Sequence, residues 1–224
     1  ATPVAAAPVT KPIADFERLA ALKRKAEERR GPLPVRLQRL EQRDVATWGG
    51  APYAQVRNDL AAGDAAMTGR EFESALAHFD AMARGLDGLE RQLPEVIRTR
   101  LADAQAAFAA GRAAEAQDKY AAVLQVAPDD AAARSGIGRS RVLDEVLRET
   151  AVGARAEQAG EVSAAIAAYQ RALKLDPATT VARAGVTRLG ARETDDAYTT
   201  AMAQAMNALA RRDYATAQSA FERA

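Results

Sequence analysis

Residues able to carry acid–base or metal chemistry are scarce in this sequence. Its one histidine, His78, stands beside Phe79 in a helical pattern, and the chain has no cysteine. A histidine needs a second group to act in acid–base catalysis or to hold a metal, and no second histidine or thiol exists here. The acidic pairs Asp129-Asp130 and Asp195-Asp196 are interpreted as lying at helix starts, where carboxylates meet the helix dipole favourably. The sequence therefore predicts no catalytic residue, no metal and no cofactor.

Four arginines recur in step with an internal repeat and could recognise carboxylates. The segment ARSGIGR at 133–139 recurs 49 residues later as ARAGVTR at 182–188. This repeat predicts ladders of guanidinium groups, which suit bidentate binding of carboxylates. The alternative is a set of ordinary surface arginines balanced by acidic neighbours, Asp129, Asp130, Asp144 and Glu145. The candidate binding residues are Arg134, Arg139, Arg183 and Arg188.

The composition restricts both the fold and the partners. Among 224 residues, 31 are basic and 30 are acidic, so no overall field draws the chain to nucleic acid or to a membrane surface. Aromatic residues make up only 5% and alanine is abundant, which favours close-packed helices over a sheet with large core side chains. No apolar run of about eighteen residues, the length that spans a bilayer, is present. These features predict an all-α protein that binds no nucleic acid.

A pattern of small and aromatic residues recurs four times. Each small residue is followed four positions later by an aromatic one, and this spacing puts both on one face of a helix. The four pairs are Ala75 and Phe79, Ala116 and Tyr120, Ala165 and Tyr169, and Ala217 and Phe221. Gly111 and Gly160 mark the turn before two of these helices. Pro128 and Pro177 end the same two helices, because proline cannot continue a helical hydrogen-bond ladder.

This pattern resembles the second helix of the tetratricopeptide repeat. The resemblance covers residues 53–224 and is strongest at 111–128 and 160–177. It implies a small residue on the first helix, twelve positions before the alanine, where the paired helices cross; Gly63 and Gly153 fit this position. It also implies an all-α array of helical hairpins, an α-solenoid. The groove of such an array is lined chiefly by first helices and receives a peptide or a partner's helix.

The repeats are longer than those of that family. The alanines lie 41, 49 and 52 residues apart, against 34 in the family. The excesses are close to whole turns of 3.6 residues, so the insertions most simply extend the first helices. Residues 130–159 and 179–210 are each predicted to be one helix, with Gly153 and Gly190 as the places for a bend. The second helix of the first repeat is predicted to end in the glycine-bearing stretch at 83–94.

Composition also divides the chain into three parts. Residues 1–12 contain three prolines and predict an extended linker. Residues 13–50 are predicted to form a basic helical arm, since the first 50 residues hold ten basic and six acidic side chains. Residues 51–224 form the repeat domain, and we expect it to be truncated at its C-terminus. The basic arm is interpreted as a solvated helix face, with a docking arm for an acidic partner or an anionic lipid surface as the alternative.

The sequence favours a non-enzymatic scaffold that binds a peptide or a partner protein through the groove. The alternative is a structural spacer or oligomeric assembly subunit that uses no groove, in which a second copy of the chain could cover exposed helix sides. The alanine- and proline-rich start resembles the segment that follows a signal peptide or membrane anchor in bacterial proteins. We therefore expect the periplasmic side of the cell envelope, with an anchor outside the given residues, and the cytoplasm as the alternative.

Overall fold

The computed structural model describes residues 10–224, with side chains from Asp15 onward. Of the predicted linker, residues 1–12, the first nine residues lie outside this range. The first helix begins at Thr10. Residues 10–224 contain ten α-helices and no strand, so the all-α prediction is confirmed. The helices are α1 (Thr10–Arg30), α2 (Leu33–Glu41), α3 (Val45–Trp48), α4 (Gly50–Thr68), α5 (Phe72–Ala109), α6 (Ala113–Val126), α7 (Ala131–Gln158), α8 (Val162–Leu175), α9 (Thr180–Ala210) and α10 (Tyr214–Phe221). None of the described helices is both long and apolar enough to cross a membrane.

The chain folds into two compact units. Unit 1 contains the described residues up to Ala104 together with Asp118–Arg134. Unit 2 contains Gln105–Gln117 and Ser135–Ala224. In unit 2, α9 packs against both α8 and α10.

The N-terminal helices share one hydrophobic core with α4 and the start of α5. The apolar stripe of α2, Leu33, Leu37 and Leu40, is buried in the same cluster as Phe79 and Leu86 of α5. Burial of these three leucines removes their apolar surface from water, and this favours the packing of α2 on the core. Unit 1 includes residues on both sides of position 50, where the sequence predicts a boundary between the basic arm and the repeat domain.

Basic residues of α1 and α2 face acidic residues of α4 and α5. Arg29 binds Asp80 at 2.7 Å, and Arg30 binds Asp64 at 2.6 Å. Arg36 binds two carboxylates at once, and its hydrogen bond holds the pKa of Asp87 below the ordinary value. Such partly exposed ion pairs stabilise a fold by only about 0–1 kcal/mol each. Basic side chains from the first 50 residues are therefore paired with carboxylates of α4 and α5 at the edge of this core.

Helix α5 corrects the predicted end of the first repeat. It runs without interruption through the stretch at 83–94, and Pro94 lies inside it. The apolar residues Leu86 and Leu89 are fully buried there, so the helical stripe continues past the glycines. Gly85 lies where α5 packs closely on α4, because an added Cβ would be 2.5 Å from Cγ2 of Val56. The helix continues through this glycine. Packing of the stripe therefore outweighs the local breaker signals.

The four helix–turn–helix junctions that precede α5, α6, α8 and α10 share one turn geometry. At each junction a backbone N–H bonds the carbonyl five residues earlier, at 2.8–3.0 Å. The residue before that N–H is in the left-handed conformation, five positions ahead of the repeated alanine. This is the hydrogen-bond pattern of the Schellman motif, in which glycine is usual. The left-handed residues are Arg70 (φ 58°), Gly111 (φ 73°), Gly160 (φ 76°) and Arg212 (φ 61°).

Two of these turns should be improved by glycine. A non-glycine residue in the left-handed region costs roughly 1–2 kcal/mol, part of which returns because glycine makes the unfolded chain more flexible. We expect Arg70→Gly and Arg212→Gly each to raise the free energy of unfolding by about 0.5–1 kcal/mol. Urea denaturation measures this change. Gly160→Ala is the reverse control, because nothing lies within 4 Å of an added Cβ there and only backbone strain changes. A loss of stability from both arginine changes would contradict the prediction.

The two long helices predicted from the repeat spacing are confirmed. Helix α7 has 28 residues and α9 has 31, and neither breaks at Gly153 or Gly190. The middle of α9, residues 191–200, is exposed at every position. Packing therefore holds α9 at its two ends, against α8 and α10, while the segment between them is in water.

Candidate functional site

Glycines lie against aromatic rings where helices cross. In unit 1, a Cβ added to Gly63 of α4 would lie 2.4 Å from Cε1 of Phe79 on α5. In unit 2, the ring of Tyr169 on α8 is held between two glycines. A Cβ on Gly153 of α7 would lie 2.7 Å from Cε1, and one on Gly185 of α9 would lie 2.5 Å from Cε2. Cβ atoms essentially never approach other atoms this closely, so these rings pack directly on the helix backbone.

The repeated small and aromatic residues are buried with one exception. All four alanines are at most 2% exposed: Ala75, Ala116, Ala165 and Ala217. Three of the aromatic residues are also buried: Phe79, Tyr120 and Tyr169. Phe221 is 40% exposed. Pro128 and Pro177 lie two residues beyond the ends of α6 and α8.

Arg188 belongs to a network that ties α9 to α7 and α8. It donates two hydrogen bonds to Glu157, at 2.9 and 2.7 Å, and Tyr169 donates a third to the same carboxylate at 3.0 Å. The hydrogen bond from Arg188 lowers the pKa of Glu157. Burial raises the pKa of Tyr169. This candidate binding arginine therefore has a structural partner within its own chain.

The network gives stability that depends on pH. Because the pKa of Glu157 is lowered in the folded chain, its contribution is present above the ordinary value of 4.5 and is lost as the pH falls through the folded value. We expect Arg188→Met to lower the melting temperature at pH 7 and to lower it less at pH 3, where protonation of the carboxylate is favoured. Thermal melts followed by circular dichroism at both pH values test this. Arg155→Met, at an exposed arginine of α7, should show no such pH dependence. Equal losses from Arg188→Met at both pH values would contradict the prediction.

Arg139 neutralises a buried carboxylate. Its Nε lies 2.9 Å from Asp176, whose side chain is only 6% exposed, just beyond the C-terminal end of α8. The backbone N–H of Ala178 donates to the other oxygen at 3.0 Å. The guanidinium of Arg139 also lies over the ring of Phe108, 4.6 Å from its centroid. A buried charge needs this kind of partner to avoid a large desolvation cost.

Arg134 and Arg183 occupy equivalent positions and bond the loop before their own helices. Arg134 donates to the carbonyl oxygen of Pro128 at 2.6 Å and to exposed Asp129 at 2.7 Å. Arg183 donates to the carbonyl oxygen of Pro177. That carbonyl is neutral, so this bond does not cancel the charge of Arg183.

A shallow hollow lies on the outward side of α9. It has a volume of about 440 Å³. Its lining residues are Thr180, Arg183, Ala184, Thr187 and Arg188, and all of them are exposed. Ala184 and Thr187 are small, so an approaching chain could come close to the helix between the two arginines. We call these five residues the α9 row.

His78 lies in a polar cluster that joins α4 to α5. Its Nδ1 lies 3.2 Å from Oδ1 of Asp59, which is only 7% exposed, and Gln55 donates to the other oxygen at 3.2 Å. These bonds satisfy a carboxylate that would otherwise be buried without partners. Across the described residues, no group of three His, Cys, Asp or Glu residues is placed to hold a metal ion.

The two acidic pairs have different positions. Asp130 lies at the start of α7 and accepts a hydrogen bond from the backbone N–H of Ala133 at 2.8 Å. Asp195 and Asp196 lie in the middle of α9, so their predicted place at a helix start is wrong. The helix that contains them starts at Thr180, because its ladder continues through Gly190.

Comparison of the chain with protein-family models, with curated proteins and with solved structures finds no match. The structure itself defines a class: within residues 10–224, this is an all-α protein whose helices pack against their neighbours. Glycine–aromatic crossings, repeated turns and an exposed arginine-bearing row characterise it further.

Proposed function

We propose that the protein is a non-enzymatic scaffold that binds an acidic peptide or partner segment along the α9 row. The observation that carries this proposal is the hollow between Arg183 and Arg188, whose floor consists of small exposed residues. Arginine in such a place can bind a carboxylate with two hydrogen bonds. Arg183 contributes most, because its bond to a neutral carbonyl leaves its charge free, whereas Arg188 already pairs with Glu157.

We further propose that the helical hairpins form a tetratricopeptide-like array, with first helices lining the binding side. Support comes from the turn geometry shared by four junctions and from Gly63 and Gly153, which lie against Phe79 and Tyr169. The equivalent of the α9 row on α7 has similar chemistry. Arg134 and Arg139 stand there 49 residues earlier, with Ser135 and Gly138 between them.

A structural spacer is the second candidate. The observation that favours it is the exposed middle of α9, residues 191–200, where a continuous helix holds two packed regions apart without a covering element in the described chain. A spacer of this kind could belong to an oligomeric assembly, and it would need no binding groove. The two candidates differ in whether the α9 row has an occupant.

A pull-down with the purified 224-residue chain distinguishes the two candidates. Under the scaffold proposal, a soluble partner is retained by the wild-type chain and lost with Arg183→Glu. Arg155→Glu is the matched control, since it makes the same charge change at another exposed arginine in unit 2. Circular dichroism first establishes that both variants fold. Retention that is equal in all three chains, or absent in all, would favour the spacer.

We propose a place on the periplasmic side of a bacterial envelope, with an anchor outside the given residues. The support is the alanine- and proline-rich composition of residues 1–12. The N-terminal sequence of the full-length protein tests this. An apolar run of about twenty residues before Ala1 is expected, and its absence would indicate the cytoplasm.

A further inference from the structure

The middle of α9 connects two packed ends without being buried itself. Leu189 is the last buried residue before the middle and Ala201 is the first after it, at 2% and 7% exposure. None of the residues between them is buried. We call residues 191–200, which are exposed at every position, the α9 bridge.

The equivalent part of α7 is packed. At the repeat shift of 49 residues, Leu143 and Val146 of α7 correspond to Arg192 and Asp195 of the bridge. The two apolar residues of α7 are only 5% and 4% exposed. Burial of charged side chains carries a large desolvation cost, so the bridge is exposed because of its own residue types and not because a covering element is absent.

The bridge also contains the extra length of α9. This helix has 31 residues, whereas α7 has 28. The first halves of the two helices correspond at a shift of 49 residues, but Gly153 and Ala205 in the second halves correspond at 52. Because a helical turn takes 3.6 residues, three extra residues do not return an apolar stripe to the same side. The two buried stripes of α9 are therefore separate, and no side chain of the bridge joins them.

The residue types of the bridge favour a helix only weakly. Half of its ten residues are threonine or aspartate, which are poor helix formers, and Gly190 precedes them. The hydroxyl of Thr194 donates a hydrogen bond to the carbonyl oxygen of Gly190 at 2.9 Å. A bond of this kind slightly destabilises a helix and often bends it.

The side-chain contacts of the bridge are exposed to solvent. Arg192 pairs with Asp196 one turn later at 3.7 Å, and their side chains are 61% and 71% exposed. Glu193 lies 3.4 Å from the hydroxyl of Ser163, which is also exposed. Solvent screening leaves exposed pairs of this kind with little effect on stability. The helical hydrogen bonds of the bridge therefore receive little support from side chains.

We propose that the α9 bridge is a hinge, at which the helix opens reversibly while both of its ends stay packed. A helix of this length is marginal in water unless tertiary packing supports it. Opening lets the second half of α9, together with α10, change direction relative to α8. The α9 row precedes the bridge and keeps its structure, so this inference goes beyond the scaffold function and does not depend on it.

Hydrogen exchange of the 224-residue chain, followed by mass spectrometry, tests the hinge. Protection factors should be at least about tenfold lower in the bridge than in residues 182–189 and 201–208, because segments with few buried contacts open at the lowest free energy. Residues 141–150 of α7 are the internal control. They should be protected as strongly as the two flanking segments of α9, because Leu143 and Val146 are buried there.

A double variant should close the hinge. Gly190→Ala with Thr194→Ala introduces the best helix former at two positions and should slow exchange of the bridge at least about tenfold. Gly138→Ala with Thr150→Ala makes the same two changes in α7, where Thr150 also donates to a backbone carbonyl one turn earlier. This control should leave exchange of the bridge unchanged.

Spin labels measure the change of direction itself. The chain has no cysteine, so labels can be placed at chosen sites. Gln170→Cys on α8 and Gln218→Cys on α10 are exposed sites on the two sides of the hinge. The distance distribution of this pair, measured by electron–electron resonance, should become narrower in the double variant. Gln170→Cys with Thr187→Cys lies on one side of the hinge and should give a narrow distribution with or without the double variant.

Three outcomes would overturn the proposal. The first is protection of the bridge equal to that of residues 141–150. The second is exchange of residues 201–221 as fast as that of the bridge, because the end of the chain then unfolds as a whole and no hinge exists. The third is a distance distribution across the bridge that the double variant does not narrow.

Discussion

Gly185→Ala should lower the free energy of unfolding, although alanine is the better helix former. Alanine in place of a helical glycine normally gains about 1 kcal/mol. Here the new Cβ would lie 2.5 Å from Cε2 of Tyr169, and the opposite edge of the ring already rests on Gly153. The ring cannot move away, because its hydroxyl is also bonded to Glu157. Overpacking of this kind costs about 1–3 kcal/mol, so we expect a net loss of about 1–2 kcal/mol in urea denaturation.

Gly190→Ala is the matched control for this prediction. It lies on the same helix five residues later, and nothing lies within 4 Å of an added Cβ. It should therefore gain the full propensity term, about 1 kcal/mol. The two substitutions are chemically identical and should have opposite signs. Stabilisation by Gly185→Ala would show that the Tyr169 ring is not held between the two glycines.

The sequence was sufficient for the helical class and for the two long helices. Whole-turn insertions keep an apolar stripe on one side, so residues 130–159 and 179–210 could be predicted as single helices and are found as α7 and α9. The prediction that a helix ends within 83–94 is wrong, because α5 continues through this stretch. That prediction relied on local signals for a helix end, among them Gly85 and Pro94. Burial of Leu86 and Leu89 outweighs those signals, and burial depends on neighbours that a local pattern does not contain.

The turns and the arginine partners show a second limit of sequence reasoning. At Gly111 and Gly160 the glycine itself indicates a left-handed residue. At Arg70 and Arg212 the backbone has the same conformation, but the residue type does not indicate it. The arginine repeat was visible in the sequence, yet its partners were not. In the sequence, Asp176 only precedes Pro177, the predicted end of a helix, and the fold shows that its carboxylate is buried.

Arg139→Met should be the most destabilising change among the four repeated arginines. Removal of the guanidinium would leave the Asp176 carboxylate, which is 6% exposed, without its charged partner. Breaking a buried ion pair in this way costs about 3–5 kcal/mol, and the 37% exposure of Arg139 places the expected loss near the lower limit. The equivalent change Arg134→Met should cost less than about 1 kcal/mol, because its partner Asp129 is fully exposed. Urea denaturation of both variants measures the difference.

The double variant Arg139→Met with Asp176→Asn identifies the cause of the loss. An asparagine at position 176 can still accept the hydrogen bond from the backbone N–H of Ala178, but it carries no charge to desolvate. The double variant should therefore recover most of the stability that Arg139→Met loses. If it recovers none, the loss comes from the contact between Arg139 and Phe108 and not from the buried charge. Equal costs for Arg139→Met and Arg134→Met would contradict the prediction, because burial of the carboxylate is the difference between the two sites.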